Sequence, residues 1–365
     1  MLKINFTALN HNVRLIKQFA PNSKILAMVK DNAYGHSLEE ISMALMNDVH
    51  AFGVYNLAEA CKLRSLQIKK KIVLMQGFTH SDQIDLIQKQ QLTPIIHHLS
   101  QLKILQQAKI TTSFSVWLKI DVGMHRLGFS LEELPEILSI LNKLPVHLRC
   151  VLAHLASAGL GDDESVKQEY NQFQLALALF PPDVEKSLAN SAAILHYPYT
   201  HFDWVRPGLS MYGVSPRSEA KGVDYGFIPV MTLYGYLIAI RQCKKGDCLG
   251  YLPSYVLVED TLIGVVNCGY ADGYPFQFKQ AKVLVEGVLC PVLGRSTSDA
   301  ITIDLSAMKS VSIGCEVILW GAQLPIENVA RWGNTIADKL LCDANHSYKK
   351  CNYSCAKTKS GKSYG

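Results

Sequence analysis

The sequence predicts an α/β protein: a (β/α)8 TIM-type barrel followed by a second, mostly β C-terminal domain. Three observations lead there. Between about residues 24 and 212, short β-branched or apolar runs alternate with stretches of helical period. After about residue 225 the helical period stops, and short β runs separated by Gly, Pro or charged turns follow one another. At 365 residues, 48% hydrophobic and 18% charged, the chain is long enough for a barrel plus a smaller unit.

Taken in order, the expected barrel strands are 25–29, 51–55, 71–75, 93–97, 115–120, 149–152, 186–189 and 204–205. Amphipathic stretches at 37–48, 57–65, 83–91, 131–141 and 164–180 lie between them. Strands alternating with helices make parallel βα units, and eight such units close naturally into a barrel. The rival is a doubly wound open sheet, which is weakened because no G-x-G-x-x-G follows the first strand. In the second domain, β runs are expected at 230–240, 261–267, 281–285, 291–293, 301–305 and 316–320, with late helices at 326–330 and 335–342. The expected division is therefore a barrel over 1–225, a β-rich unit over 226–342 and a basic polar tail over 343–365.

Composition narrows the function classes. No apolar run approaches the roughly 20 residues of a membrane span. The opening MLKINFTALN lacks the apolar core of a secretory signal. Ten cysteines are scattered, mostly in apolar stretches, without C-x-x-C pairs, which reads as cytoplasmic thiol usage. The net charge is +5, but 343–365 holds five lysines against one aspartate, so the body is nearly neutral. No cation-lined groove for nucleic acid is implied.

In a barrel of this kind, chemistry sits where strands deliver their C-terminal ends. The first strand ends in Lys30, followed by DNAYGH with Tyr34 and His36. The fifth delivers Lys119 and Asp121, then Gly123 and Arg126. The sixth delivers His154, the seventh Asn190 and Ser191, and the eighth Arg206, Pro207 and Gly208. Each alone has a plain structural reading. A strand-end lysine snorkels, Asn-Ser caps a helix, His154 sits hydrogen-bonded in the core, and Arg206 pairs with Asp203. Convergence on one rim makes all of those readings together hard to sustain. A lysine nucleophile, with Ser and Gly amides in the two late loops that usually cradle phosphate, matches a phosphate-bearing aldehyde. Pyridoxal 5'-phosphate held as a Schiff base on Lys30 is the cofactor this chemistry points to.

Five separated blocks then resemble the bacterial alanine racemases in order and spacing. They are AMVKDNAYGHS, KIDVGMHRLGF, LANSAAIL, HFDWVRPGLSMYG and NCGYADGYP, within a resemblance covering about residues 1–342. By that resemblance Lys30 carries the cofactor and is one of two catalytic bases. Tyr251, in LGYLPSY, stands at the family's spacing ahead of Tyr270 for the second. Tyr34, Ser191, Gly208 and Leu209 are implied to bind the cofactor's phosphate, with Asn190 beside them. His154 packs on its ring, Arg126 hydrogen-bonds near its phenolic oxygen, and Arg206 faces its pyridine nitrogen. Lys119 matches a carbamylated lysine that supports Arg126. Arg126, Tyr270 and Ser298 are implied on the substrate side, and the family's arrangement implies a head-to-tail homodimer whose sites are shared between chains. An approach of Tyr251 within one chain is an equally good reading of the residues alone. No metal is implied.

The chain departs from the family pattern at several points. The R-x-x-M-D block reads Arg295-Ser296-Thr297-Ser298-Asp299, with Ser298 in place of Met. Asp338 stands where a phosphate-contacting Tyr is expected, and Leu252 where Gly follows the catalytic Tyr. The closing R-V-x-x-x-Y strand is replaced by the Lys/Cys tail. The implied activity is interconversion of L- and D-alanine by two-base proton transfer, supplying D-alanine for peptidoglycan. The alternatives are a racemase of broader or different specificity, or a pyridoxal-phosphate-binding protein of reduced activity. A regulatory protein on the same barrel would lack the β region, and a decarboxylase would carry an acid where Arg206 stands.

Overall fold

The computed structural model describes residues 1–250 and 255–344. Its core is a closed barrel of eight parallel strands: Lys24–Met28, Ala51–Val54, Lys71–Leu74, Thr93–Ile96, Phe114–Lys119, Val146–Leu152, Glu185–Asn190 and Trp204–Arg206. The ring shuts where Lys24 and Ile25 register with Trp204 and Val205. Most of these strands read as apolar runs because both faces are buried, one against the helices and one against the barrel interior; Val146–Leu152 and Glu185–Asn190 differ, with polar, partly exposed residues in their first halves. The predicted positions hold, with ends shifted by a few residues. The largest shift is in the sixth strand, which begins at Val146 rather than 149.

The barrel interior is filled, and its floor is closed. Leu26, Met28, Ala51, Val73, Ile95, Trp117, Cys150, Leu152 and Trp204 form one buried cluster. At the strands' N-terminal ends, the Lys24 and Lys71 ammonium groups lie 5.4 and 5.3 Å from the Trp204 ring centroid. Only the opposite, C-terminal end remains open for chemistry.

Before the barrel comes the helix Phe6–Phe19, started by Asn5, whose Oδ1 accepts the Ala8 N–H at 3.0 Å. Asn12 on this helix is fully buried. It donates to the carbonyls of Met211 and Ile228 at 3.0 and 2.8 Å and accepts the Ile228 N–H at 2.8 Å. A single amide thus ties the helix to the segment leaving the barrel.

The second unit is a seven-stranded sheet in the order Leu2–Ile4, Met231–Cys243, Thr261–Val266, Ile301–Asp304, Val288–Leu293, Lys282–Val285, Glu316–Trp320. Met231–Cys243 also pairs with Glu316–Trp320, so the sheet curls back on itself. The strand Leu2–Ile4 was not anticipated. It is three residues long, and its register with Met231–Leu233 is a contact across most of the chain. The helices Ile326–Trp332 and Ala337–Asp343 follow, the second packing against the segment after Lys30. Residues 345–365, the bulk of the expected tail, lie outside the described residues. Among the described residues no helix is long and apolar enough to cross a membrane, and the described cysteines are free thiols.

Candidate active site

Lys30 leaves the first barrel strand into an unusual turn. Asp31, Asn32, Ala33 and Tyr34 have φ of 56°, 54°, 54° and 51°, a full left-handed helical turn without glycine. Such a turn costs on the order of 1–2 kcal/mol per residue, so surrounding bonds must impose it. The Ala33 N–H donates to Val29 O at 2.9 Å and the Gly35 N–H to Asp31 O at 3.1 Å. Glu59 Oε1 accepts the Asn32 N–H at 3.2 Å, and Asn32 Oδ1 accepts the Leu38 N–H at 2.8 Å. The turn leaves Lys30 Nζ 3.0 Å from Asp31 Oδ2 and 5.5 Å from the Tyr34 ring centroid.

A cavity of about 710 Å³ opens at the barrel mouth above Lys30. Ten of the barrel residues expected at the rim line it: Lys30, Tyr34, Lys119, Arg126, His154, Asn190, Ser191, Arg206, Gly208 and Leu209; His36, Asp121, Gly123 and Pro207 do not. Lys119, at the end of the fifth strand, is buried. Burial, then the nearby Arg206 and Arg126 cations, pull its amine down to about 8. The following loop is folded by Asp121, whose Oδ1 accepts the N–H of Gly123 and of His125 at 3.0 Å each. That loop carries Arg126 to the rim.

His154 is held neutral. Burial, and after it the charges of Arg206, Lys119, Arg126 and Lys30, lower its imidazole to about 3. It therefore offers the cavity a flat, uncharged ring. Arg206 is also buried, and burial lowers its guanidinium to about 10, still charged at neutral pH. Its Nη1 donates to Ser187 Oγ at 2.7 Å, and its Nη2 donates to Ala153 O and Leu188 O at 2.7 and 3.1 Å. The alternative ion pair with Asp203 is not what these bonds make; Asp203 Oδ2 accepts the Lys186 N–H at 2.8 Å.

The late loops are stitched together at Ser191. Its Oγ accepts the Gly208 N–H at 2.9 Å and the Ser210 hydroxyl at 3.2 Å. Asn190 does what a helix cap does: its Oδ1 accepts the Ala193 N–H at 3.1 Å, while Nδ2 donates to Leu155 O at 3.1 Å. Its side chain is thus engaged in shaping the cavity wall.

Of the expected substrate-side residues, Arg126 lines the cavity while Tyr270 and Ser298 stand elsewhere. The Tyr270 N–H donates to Thr297 O at 3.0 Å and the Ala271 N–H to Ser298 O at 2.9 Å, which locks their two loops together. Gly269 permits that approach, since a Cβ there would lie 2.3 Å from Thr297 O. Tyr270 is 49% exposed, and neither it nor Ser298 lines the mouth cavity of its own chain. Tyr251 and Leu252 lie outside the described residues. Conversely, Tyr55 and Met75 line the cavity without having been singled out. Both were the last residues of expected strands, so the positional signal existed; neither carries a charge to draw attention.

Asp338, on the helix Ala337–Asp343, also lines the cavity. Burial raises its carboxyl, partly opposed by its own backbone amide and by Lys30. The donor set fits pyridoxal phosphate: an amine to bind its aldehyde, a neutral ring to stack on it, a fixed guanidinium, and the Ser191 and Gly208 loops on one wall of the cavity. Gly208 lets Tyr34 approach that wall, because a Cβ there would meet Tyr34 Oη at 2.7 Å. Among the described residues that line the cavity, the one anion is Asp338.

Comparison with known proteins agrees with this geometry. The alanine racemase N-terminal domain model matches residues 4–216 and the alanine racemase C-terminal domain model matches 230–352, the latter running past residue 342 into the tail. Alanine racemases from Haemophilus influenzae and Nitrosococcus oceani are 40% and 39% identical, over 93% of this chain and 94% and 95% of theirs. The biosynthetic alanine racemase of Pseudomonas aeruginosa superposes with a TM-score of 0.91 at 34% identity, covering 94% of this chain and 96% of that one. The alanine racemase of Bartonella henselae with covalently bound pyridoxal phosphate gives 0.85 at 26% identity, covering 94% and 96%. A barrel mouth built around Lys30, a curled antiparallel sheet behind it, and relatives matched along nearly their whole length leave one assignment: this chain belongs to the alanine racemase family.

Proposed function

We propose that the chain interconverts L- and D-alanine, with pyridoxal 5'-phosphate held on Lys30. The observation that carries this is the convergence of the Lys30 amine, the neutral His154 ring, the hydrogen-bonded Ser191–Gly208 pair and the anchored Arg206 guanidinium on one cavity. When bound, the cofactor acidifies the α-proton of an attached amino acid by delocalising the charge left behind.

The chain's own residues supply the rest. Racemisation needs proton transfer on both faces of the α-carbon, so two groups must stand opposite each other. Lys30 Nζ takes or returns the proton on one face, and the Tyr251 phenol acts on the other. Tyr34, Ser191, Gly208 and Leu209 would hold the phosphate, with Asn190 ordering the helix behind Ser191. Arg206 keeps its proton at neutral pH because guanidinium gives one up so reluctantly, and its three hydrogen bonds fix its direction. A guanidinium so held would be a poor proton source for the cofactor's ring nitrogen, which would favour proton exchange over transamination or decarboxylation. Lys119, as a carbamate, would turn a cation facing Arg126 into an anion that orients it.

The functional unit we propose is a head-to-tail homodimer in the cytoplasm, supplying D-alanine for peptidoglycan. Its support is that Tyr270 and Ser298, two of the three substrate-side residues, do not line the mouth of their own chain; a second copy would bring them there. A chiral assay of L- and D-alanine, serine and lysine with added cofactor tests the reading. Racemisation of alanine above the other two is expected, and no turnover of any of them by cofactor-loaded protein would overturn it.

A further inference from the structure

The left-handed turn after Lys30 raises the question of what holds it. His36 lies just beyond it and is fully buried. Its Nδ1 is 3.0 Å from Ala33 O and 2.8 Å from Tyr34 O. Carbonyl oxygens only accept, so Nδ1 must carry the ring's proton and share it between the two. The turn therefore dictates the tautomer, and Nε2 is left with a lone pair. Among the described residues that buried nitrogen has no partner. A buried acceptor without a partner is destabilising, so the ring's place is not explained by its own hydrogen bonding.

The ring's position is set from its other side. It stacks on Tyr212 with centroids 4.4 Å apart and planes at 26°. The Tyr212 hydroxyl donates to Met28 O at 2.9 Å, on the strand that delivers Lys30. Tyr212 also touches Tyr34, with ring centroids 5.1 Å apart. A closed bracket results: from Met28 through Tyr212 and His36 to the carbonyls of Ala33 and Tyr34, with Lys30 on the backbone it spans. Burial pushes the His36 imidazole down to about 4, so a second proton does not disturb the arrangement near neutral pH.

We infer that His36 is a positioning residue: its Nδ1–H, aimed by the stack on Tyr212, holds the left-handed turn that sets Lys30 and Tyr34 at the cavity. The inference rests on the reading of Lys30 as the cofactor lysine. His36 touches neither the cavity nor a substrate and acts only through the backbone.

Three variants separate this role from general packing. His36→Asn keeps an N–H at the Nδ1 position, His36→Gln moves it to the Nε2 position, and His36→Leu removes it. The readouts are the rate at which cofactor-free protein takes up pyridoxal phosphate, the borohydride-fixed label at Lys30, the split of kcat against KM, and thermal unfolding. His36→Asn should take up cofactor within about threefold of the natural rate, while His36→Gln and His36→Leu should be slower by ~10-fold or more, since misplacement by about 1 Å costs up to ~100-fold. Their kcat should fall with KM little changed. Equal behaviour of the Asn and Gln variants, or uptake by either Gln or Leu at the natural rate, overturns the inference. If His36→Leu does not fold, the Asn and Gln pair decides. Natural protein that carries no label at Lys30 would instead bring down the cofactor reading, and this inference with it.

Discussion

The Tyr34 hydroxyl stands where a methyl group on Gly208 would have to go, 2.7 Å from the position of that Cβ. The two residues lie far apart in sequence, yet the left-handed turn and the Ser191-tied loop bring them into contact. Glycine is needed here for close approach, since only the missing side chain lets the hydroxyl in. Gly208→Ala must therefore push Tyr34 aside. Weaker cofactor binding by about tenfold is expected, with little change in thermal stability, and a titration of cofactor-free protein checks it.

Lys119 should make stability depend on pH and on carbon dioxide. Its amine is pulled below the usual 10.5 to about 8, so charging it opposes folding. That penalty is absent above 10.5 and complete below about 8, amounting to roughly 3 kcal/mol at neutral pH. Lys119→Met should accordingly raise Tm at pH 7. Bicarbonate should raise the Tm of the natural protein, because a carbamate converts the repelled cation into an anion facing Arg206 and Arg126. Identical responses of the natural protein and Lys119→Met would argue against carbamylation.

Asp338 places a carboxylate among the residues that would receive a phosphate-bearing ligand. Its carboxyl is raised by burial, so acidification neutralises it earlier than an exposed aspartate. Asp338→Asn should tighten pyridoxal phosphate by about 3- to 10-fold at pH 8, equivalent to ~1 kcal/mol. The gap should close as pH falls and the natural carboxyl takes up its proton. Asp338→Tyr should bind at least as tightly as the Asn variant. A gap that stays constant with pH would show that charge is not the cause.

The two proposed bases should fail differently. Lys30→Ala should abolish the borohydride-fixed label and lower racemisation by about 100-fold or more, the scale of a lost acid–base group. Tyr251→Phe should keep the label and slow proton removal chiefly from L-alanine. Solvent deuterium incorporation, followed separately from each enantiomer, reads the asymmetry. Equal slowing in both directions would discard the two-base scheme.

Much of this architecture is legible in the residues. Strands buried on both faces must be apolar throughout, so runs such as Ile72–Val73–Leu74 announce themselves without any alignment. The rim residues follow from strand ends, because a charged group ending such a run has only the barrel mouth to occupy. Lys30, Lys119, His154 and Arg206 were found this way, and all four line the cavity. Tyr55 and Met75 also line the cavity, but an uncharged residue at a strand end looks like more core. Leu2–Ile4 escaped notice because three residues carry no periodicity.

Local pattern was enough for the parallel barrel, its order of strands and the chemical character of its mouth, since burial on each element is written into neighbouring residues. Other features arise from contacts between distant segments. The left-handed conformation of Asp31–Tyr34 depends on Glu59, and the lowered Lys119 amine on burial and on Arg206. The separation of Tyr270 and Ser298 from their own chain's cavity depends on how the sheet docks. Hydrogen bonding, desolvation and charge act through space over a few ångströms, and which residues come that close is a property of the folded chain.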